Sequence, residues 1–350
     1  GITWIGMLKL KASYGVQGND NLYPDSNYAR KYYPYSDNYI HSYNEGTGEY
    51  STELDYKGND ALTWETSHSF NAGIDFELFG NRLNGSAEFF SRKTTDLLYS
   101  KDVPLSSGNP TGMYPVNVGS ISNAGVEVEL NGDVISTKNV TWNIYANLSY
   151  NKNKILKLDD ALGGEWISGS YIYREGEAMN QFYIREYVGV NPENGAAMWY
   201  MEQPIVEKDA EGNPKLDEKK NPIYVLDEKG NPVMETVTTE TWSEATQYAQ
   251  GDLLPKVYGG FGTTLNVYGV DLSVACAYQL GGKIYDNAYA SLMHSGYSSA
   301  GKNWHADILN SWTPENTNTD VPRVNTADQY TTSVSDRFLI SSNYLSLQNI

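Results

Sequence analysis

Apolar and polar side chains alternate with period two through much of the chain. Between residues 71 and 90, Ala72, Ile74, Phe76 and Leu78 alternate with Asn71, Gly73, Asp75 and Glu77. After Gly80-Asn81, Leu83, Gly85, Ala87 and Phe89 alternate with Asn84, Ser86 and Glu88. The same pattern sets Leu8, Leu10, Ala12 and Tyr14 against Lys9, Lys11 and Ser13, and Ala124, Val126, Val128 and Leu130 against Gly125, Glu127 and Glu129. It returns from Val140 to Tyr150, and again in the rows Val257, Phe261, Leu265, Val267 and Leu272, Val274, Cys276, Tyr278, Leu280. Period two puts successive side chains on opposite faces of a strand. The pattern predicts strands near residues 5–15, 64–79, 82–98, 118–132, 140–154, 181–190, 197–204, 254–267, 271–284 and 336–350.

The links between these strands carry a second pattern. Short links fall at Gly80-Asn81, Ser136 to Asn139, Asn191 to Gly195 and Tyr268-Gly269-Val270. Long ones fall near 16–63, 99–117, 155–180, 205–253 and 285–335. Short and long alternate, which gathers the turns at one end of a sheet and the loops at the other. That asymmetry belongs to outer-membrane barrels. The fold expected is all-β, with antiparallel up-and-down strands forming part of a large transmembrane β-barrel. Its apolar rows would face lipid, and Asp75, Glu77, Glu88, Glu127 and Glu129 would line a wet lumen. A soluble antiparallel sandwich also alternates, with its apolar face inward. The regular loop alternation and strands longer than the usual five or six residues or so favour the barrel.

Charge and composition narrow the partners. With 43 acidic and 25 basic residues the net charge is −18, so the chain lacks the basic face that a nucleic acid needs. One cysteine, Cys276, excludes an intrachain disulfide framework. No apolar run reaches the roughly 18 residues of a membrane helix, and the start does not read as a signal peptide. The 29 tyrosines and 8 tryptophans suit wet interfaces, because each ring carries a polar tip.

Candidate catalytic chemistry is thin. His41, His68, His294 and His305 stand far apart, with no pair at metal-ligand spacing and no cysteine cluster. Glu127 and Glu129 share a strand face, as glycosidase carboxylates could, yet lumen lining explains them without chemistry. "GGFG" at 259–262 lacks the Lys-Ser/Thr and the helix of a phosphate loop. Cys276 sits in an apolar row and should point to lipid. The chain is read as no enzyme, with no cofactor and no metal site.

Longer stretches are similar to a known family. "LKLKASYGVQGND" at 8–20, "LTWETSHSFNAGIDFELFGNRLNGSAEFFSRKTTDLLY" at 62–99, "NVGSISNAGVEVEL" at 117–130 and "WNIYANLSYNKNKI" at 142–155 resemble the SusC-like (SusC/RagA) branch of TonB-dependent outer-membrane transporters. "LLPKVYGGFGTTL" at 253–265, "GGKIYD" at 281–286, "SWTPENTNTDVPRV" at 311–324 and "DRFLISSNYLSLQNI" at 336–350 follow in the same order. The resemblance implies a Bacteroidota barrel of about 22 strands, filled by a plug, capped by a SusD-like lipoprotein and powered through the TonB complex. Residues 1–350 would then be a partial barrel of about ten strands, lacking signal peptide, plug domain, TonB-binding segment and final strands. The implied cargo is an oligosaccharide or, as a lesser option, a peptide. The competing reading is a non-transporting surface adhesin or glycan-binding β protein.

Within that frame the loops hold the binding candidates. Tyr23, Tyr28, Tyr32, Tyr33, Tyr35, Tyr39, Tyr43, Tyr50 and Tyr56 crowd the first loop, and Trp166, Trp304 and Trp312 lie on others. Aromatic faces stack on sugar rings or anchor protein interfaces, so Tyr32, Tyr33, Tyr35, Tyr39 and the three tryptophans are the expected substrate or lid contacts. Self-packing and an interfacial belt would use the same residues. Residues 209–214 (DAEGNP), 217–222 (DEKKNP) and 227–232 (DEKGNP) repeat a turn signal, which predicts a hairpin extension on an external loop.

Overall fold

The computed structural model describes residues 3–22 and 32–350. Unbroken alternation yields long strands, and eight strands pair side by side in chain order as one antiparallel sheet. They are β1 (Ile5–Asn19), β2 (Glu65–Leu78), β3 (Leu83–Thr95), β4 (Ser120–Ser136), β5 (Val140–Lys157), β6 (Val257–Val267), β7 (Val270–Leu280) and β8 (Tyr344–Asn349). Among the described residues β1 and β8 are each paired on one side only, so the sheet is open.

Register turns the local alternation into two continuous faces. One row crosses all eight strands as Leu10, Ile74, Ala87, Val128, Leu148, Gly259, Tyr278 and Leu345, each directly opposite the next. The adjacent row reads Lys9, Asp75, Ser86, Glu129, Asn147, Gly260, Ala277 and Ser346. A slip of one residue at any strand would mix the faces. The apolar face is uncovered: Leu10 is 79% exposed, Leu272 48% and Phe261 44%. An apolar surface of this extent needs a non-aqueous neighbour. Exposed Trp4, Phe79, Trp142 and Tyr268 gather near the turn end of the sheet, and Tyr14, Phe70 and Tyr150 near the other, as the aromatic girdles of a membrane barrel do. Cys276 stands on this face, opposite Phe261 and Leu347.

Three turns close one end, at 79–82, 137–139 and 268–269. In the last, Tyr268 and Gly269 both have positive φ (51° and 88°), which matches the right-handed twist of paired strands. The other end carries four excursions, 20–64, 96–119, 158–256 and 281–343.

Two expected wall strands belong to an excursion instead. Residues 181–190 form Gln181–Arg185 and Tyr187–Val190, and the next segment forms Ala197–Pro204. Gln181–Arg185 pairs in a four-stranded sheet with Glu165–Ser168, Tyr171–Arg174 and Gln247–Asp252. The other two join Met234–Thr239 in a three-stranded sheet. These strands are too short to cross a bilayer, which takes about 9–11 residues. Their apolar residues Phe182, Ile184 and Trp199 are buried rather than presented to lipid. The turn at Asn191 to Gly195 is therefore a hairpin tip within the excursion. The last wall strand also starts later than expected, at Tyr344, because Asp336–Phe338 is a 3-10 turn and Leu339–Ser341 pairs with Lys283–Tyr285. With these reassignments short and long links still alternate.

The two longest excursions are packed rather than loose. Ala197, Trp199 and Ala245 form one core with Tyr187, Trp242 and Tyr330 against it. Ala290, Met293 and Phe338 form a second with Tyr285, Tyr289, Ile308 and Val321. Tyr187 and Tyr330 join the two longest excursions in the first core. One cation crosses the joint, Arg337 at 5.4 Å from the Tyr187 ring centre, while within the longer excursion Arg185 lies 3.8 Å from that of Trp242. Burial pushes the Tyr187 phenol up to about 12, and its backbone N–H donates to Asp336 Oδ1 at 2.7 Å.

The triple turn repeat forms three hairpins, bridged at Lys208/Pro214, Leu216/Pro222 and Leu226/Pro232. In each, the leading aspartate accepts backbone N–H bonds from the residues two and four further on, at 2.8–3.0 Å. Backbone bonds then run in a ring, Ile205 to Val233, Val233 to Val225 and Val225 to Ile205. A second ring links Glu207, Ile223 and Lys215. The donated N–H groups hold the carboxyls of Asp209, Asp217 and Asp227 below their ordinary value of 3.8. A depressed carboxylate stabilises the fold fully above its unfolded pKa, and loses that contribution as pH falls through the folded one. Amide exchange at Asn213, Asn221 and Asn231, corrected for intrinsic rates, should therefore quicken only below pH 3.8. Exchange that quickens near pH 6 would remove the aspartates from this role.

Candidate functional site

The polar face is the first functional surface. Asp75, Glu77, Glu88, Glu127 and Glu129 all stand on it. Lys11 Nζ bridges Asp75 at 2.7 Å and Glu88 at 3.5 Å, while Lys9 reaches Asp75 at 3.7 Å. Glu127 Oε1 accepts from Ser149 Oγ at 2.9 Å, and Asn143 Nδ2 donates to Asn131 and Asp133. Glu88 and Glu127 lie directly opposite each other. Like charges so placed repel, and Lys11 at Glu88 and the Ser149 hydroxyl at Glu127 offset the repulsion. The ion pairs on this face are exposed and add little stability. "GGFG" at 259–262 is part of strand β6, not a loop.

The excursions supply the second surface. Tyr32, Tyr33, Tyr35 and Tyr39 are each more than half exposed, and Tyr33 and Tyr35 meet edge to face at 6.2 Å. Tyr39 opens an exposed hairpin, Asn38–Asn44 with Glu49–Tyr56, whose end carries Tyr43 against Tyr50 at 4.8 Å. Tyr56 instead turns inward and donates to the Pro34 carbonyl. Tyr23 and Tyr28 lie outside the described residues.

The three tryptophans have separate surroundings. Trp312 lies flat on Gly195, where a Cβ would come within 2.4 Å of its ring, and its N–H donates to the Pro192 carbonyl. Nearby, Arg323 holds Asp328 through two bonds of 2.8 and 2.9 Å and donates to the Asn194 carbonyl at 2.7 Å. Trp304 is half exposed, donates to the His294 carbonyl and packs on that ring at 4.8 Å. Trp166 stacks on Tyr173 at 4.8 Å and meets Tyr99 edge-on at 5.5 Å.

Trp166 also lines a cavity of about 340 Å³, together with Leu98, Tyr99, Ile121, Ile155 and Tyr173. Across its lining, Lys101 Nζ pairs with Asp159 at 2.6 Å and holds that carboxyl below the usual range. Sequence reasoning passed over this cavity. One signal was available: Ile121 and Ile155 are cross-strand partners and fall in the polar row, where every neighbour pattern calls for a wet side chain. Their apolar character marks a place where that face stops being wet.

Known proteins share this architecture. The family model "TonB dependent receptor-like, beta-barrel" matches residues 1–281. TonB-dependent receptor P3 of Formosa agariphila is 31% identical over 363 aligned residues, covering 99% of this chain and 32% of that protein. TonB-dependent receptor SusC of Bacteroides thetaiotaomicron is 32% identical over 237 residues, 62% of this chain and 22% of SusC. The structure of the RagAB peptide transporter superposes with a TM-score of 0.73 at 26% identity, over 99% of this chain and 34% of that one. This chain spans about a third of the length of these full-span relatives. A lipid-ready face, a wet face, aromatic girdles and one-sided excursions are what such a barrel wall requires, and the chain belongs to the TonB-dependent receptor β-barrel family of the outer membrane, with its likeness to the SusC-like branch.

Proposed function

We propose that this chain is wall and external loops of an outer-membrane nutrient importer, which takes an oligosaccharide, or alternatively a peptide, from a SusD-like lipoprotein lid and is energised through TonB. The observation that carries the reading is the pair of faces that run across eight strands, one apolar and one polar with carboxylates on β2 to β4. In this reading the turns at 79–82, 137–139 and 268–269 face the periplasm and the excursions face outward. Asp75, Glu77, Glu88, Glu127 and Glu129 line the lumen. Tyr32, Tyr33, Tyr35, Tyr39, Trp166, Trp304 and Trp312 are offered to substrate or lid, the first four with the greater freedom because they are the more exposed. The relatives named SusC and RagAB support the class of cargo only by analogy.

Orientation is the decisive test. In whole cells carrying the full-length transporter with Cys276→Ser, Tyr35→Cys should react with an impermeant maleimide and Asn81→Cys should not. Equal labelling of both would replace the importer wall with a fully exposed surface module, as an adhesin would be.

A further inference from the structure

We infer that the cavity around Trp166 is a binding site for an aromatic or branched aliphatic side chain of an extended peptide. The cavity is small, at about 340 Å³, at the lower end of ligand pockets. Its walls are apolar and aromatic, from Leu98, Ile121 and Ile155 to Tyr99, Trp166 and Tyr173. The polar groups at hand are largely engaged with one another: Lys101 with Asp159 at 2.6 Å, and Lys157 with Asp160 at 3.1 Å. Of the charged lining groups only Asp102 lacks an ion pair among the described residues, so a sugar ring placed here would leave most of its hydroxyls without side-chain partners, at a cost that its stacking on Trp166 would not offset. An apolar side chain has no such cost.

The backbone around the cavity supplies what a peptide main chain needs. Among the described residues Leu98–Asp102 pairs only with Met113–Asn117, in a two-stranded sheet. Glu165–Ser168 is the edge of its four-stranded sheet. Each of these edge strands sends one ring, Tyr99 or Trp166, into the cavity wall. Among the described residues, each strand has one side without a sheet partner. An edge of this kind accepts an added strand through main-chain hydrogen bonds, while alternate side chains enter pockets. Asp102 also lines the cavity and makes no ion pair among the described residues, so the lining keeps one negative charge and disfavours acidic peptides.

This site deepens the importer reading, since it rests on the cavity being reachable from the nutrient path. The test uses the purified full-length transporter in nanodiscs, titrated with Ala-Ala-Phe-Ala-Ala, Ala-Ala-Asn-Ala-Ala and maltopentaose. The phenylalanine peptide should bind about tenfold or more tightly than the asparagine peptide, and maltopentaose should not compete. Leu162 also lines the cavity: Leu162→Trp, which fills it, should abolish the preference, and Leu162→Ala, which enlarges it, should keep it, so that a folding defect cannot imitate the result. N-methylation of the central amide should weaken binding about three- to tenfold. Equal affinity for the two peptides, a preference that survives Leu162→Trp, or competition by maltopentaose would each overturn the inference. TonB-dependent uptake in cells is scored separately. Uptake that persists while these titrations fail would remove the site and leave the importer. Titrations that succeed without uptake would do the reverse.

Discussion

Leu148→Arg should destabilise the folded barrel by about 2–4 kcal/mol, the range for a cation on the lipid face near mid-bilayer. Leu148 lies inside β5, between Val128 and Gly259 in the apolar row that crosses all eight strands. Its neighbour Ser149 points to the opposite face, where it donates to Glu127. Ser149→Arg would set a guanidinium beside that carboxylate in water, and its effect should stay within about 0.5 kcal/mol. Urea titration of the full-length barrel refolded in lipid vesicles gives both values. A larger loss for Ser149→Arg than for Leu148→Arg would exchange the lipid and lumen faces.

Gly125→Ala should cost about 3 kcal/mol, near the upper end for overpacking a well-packed site. A Cβ at residue 125 would lie 1.9 Å from the Tyr150 carbonyl oxygen and 2.6 Å from Cζ of Phe90. Phe90 is the cross-strand partner of Gly125, and its ring covers the bare backbone, as aromatic residues do beside strand glycines. The ring can rotate away, but the carbonyl belongs to the β4–β5 ladder and moves only if the strands separate. Gly132 on the same strand is the control: a Cβ there meets Leu83 at 3.7 Å, ordinary contact, so Gly132→Ala should be tolerated. Heat-modifiable migration of the assembled barrel separates the two. Equal assembly of both variants would show that the wall has slack at residue 125.

The parts of this protein differ in how far they can be read without coordinates. The eight wall strands follow from alternation, as at Asp75 and Glu77 against Ile74 and Phe76, because each side chain's face depends only on its own position along a strand. The segments 181–190 and 197–204 misled for the same reason. They have strand-forming residues, but length and burial, not alternation, placed them in the excursion. The aromatic residues of the loops were visible as composition, yet nothing local distinguished Tyr35, left exposed, from Tyr56, turned inward to Pro34.

The sequence by itself determined the strand class, the two faces and the one-sided distribution of long links, since these depend on neighbours a few residues apart. Only the tertiary structure decided which strands joined the wall and that the two longest excursions pack into two cores. It also decided that Leu98, Ile121, Ile155 and Trp166 close around one cavity. Those contacts join residues tens of positions apart, and their energy comes from burying surfaces that meet only after the sheet has set the excursions side by side.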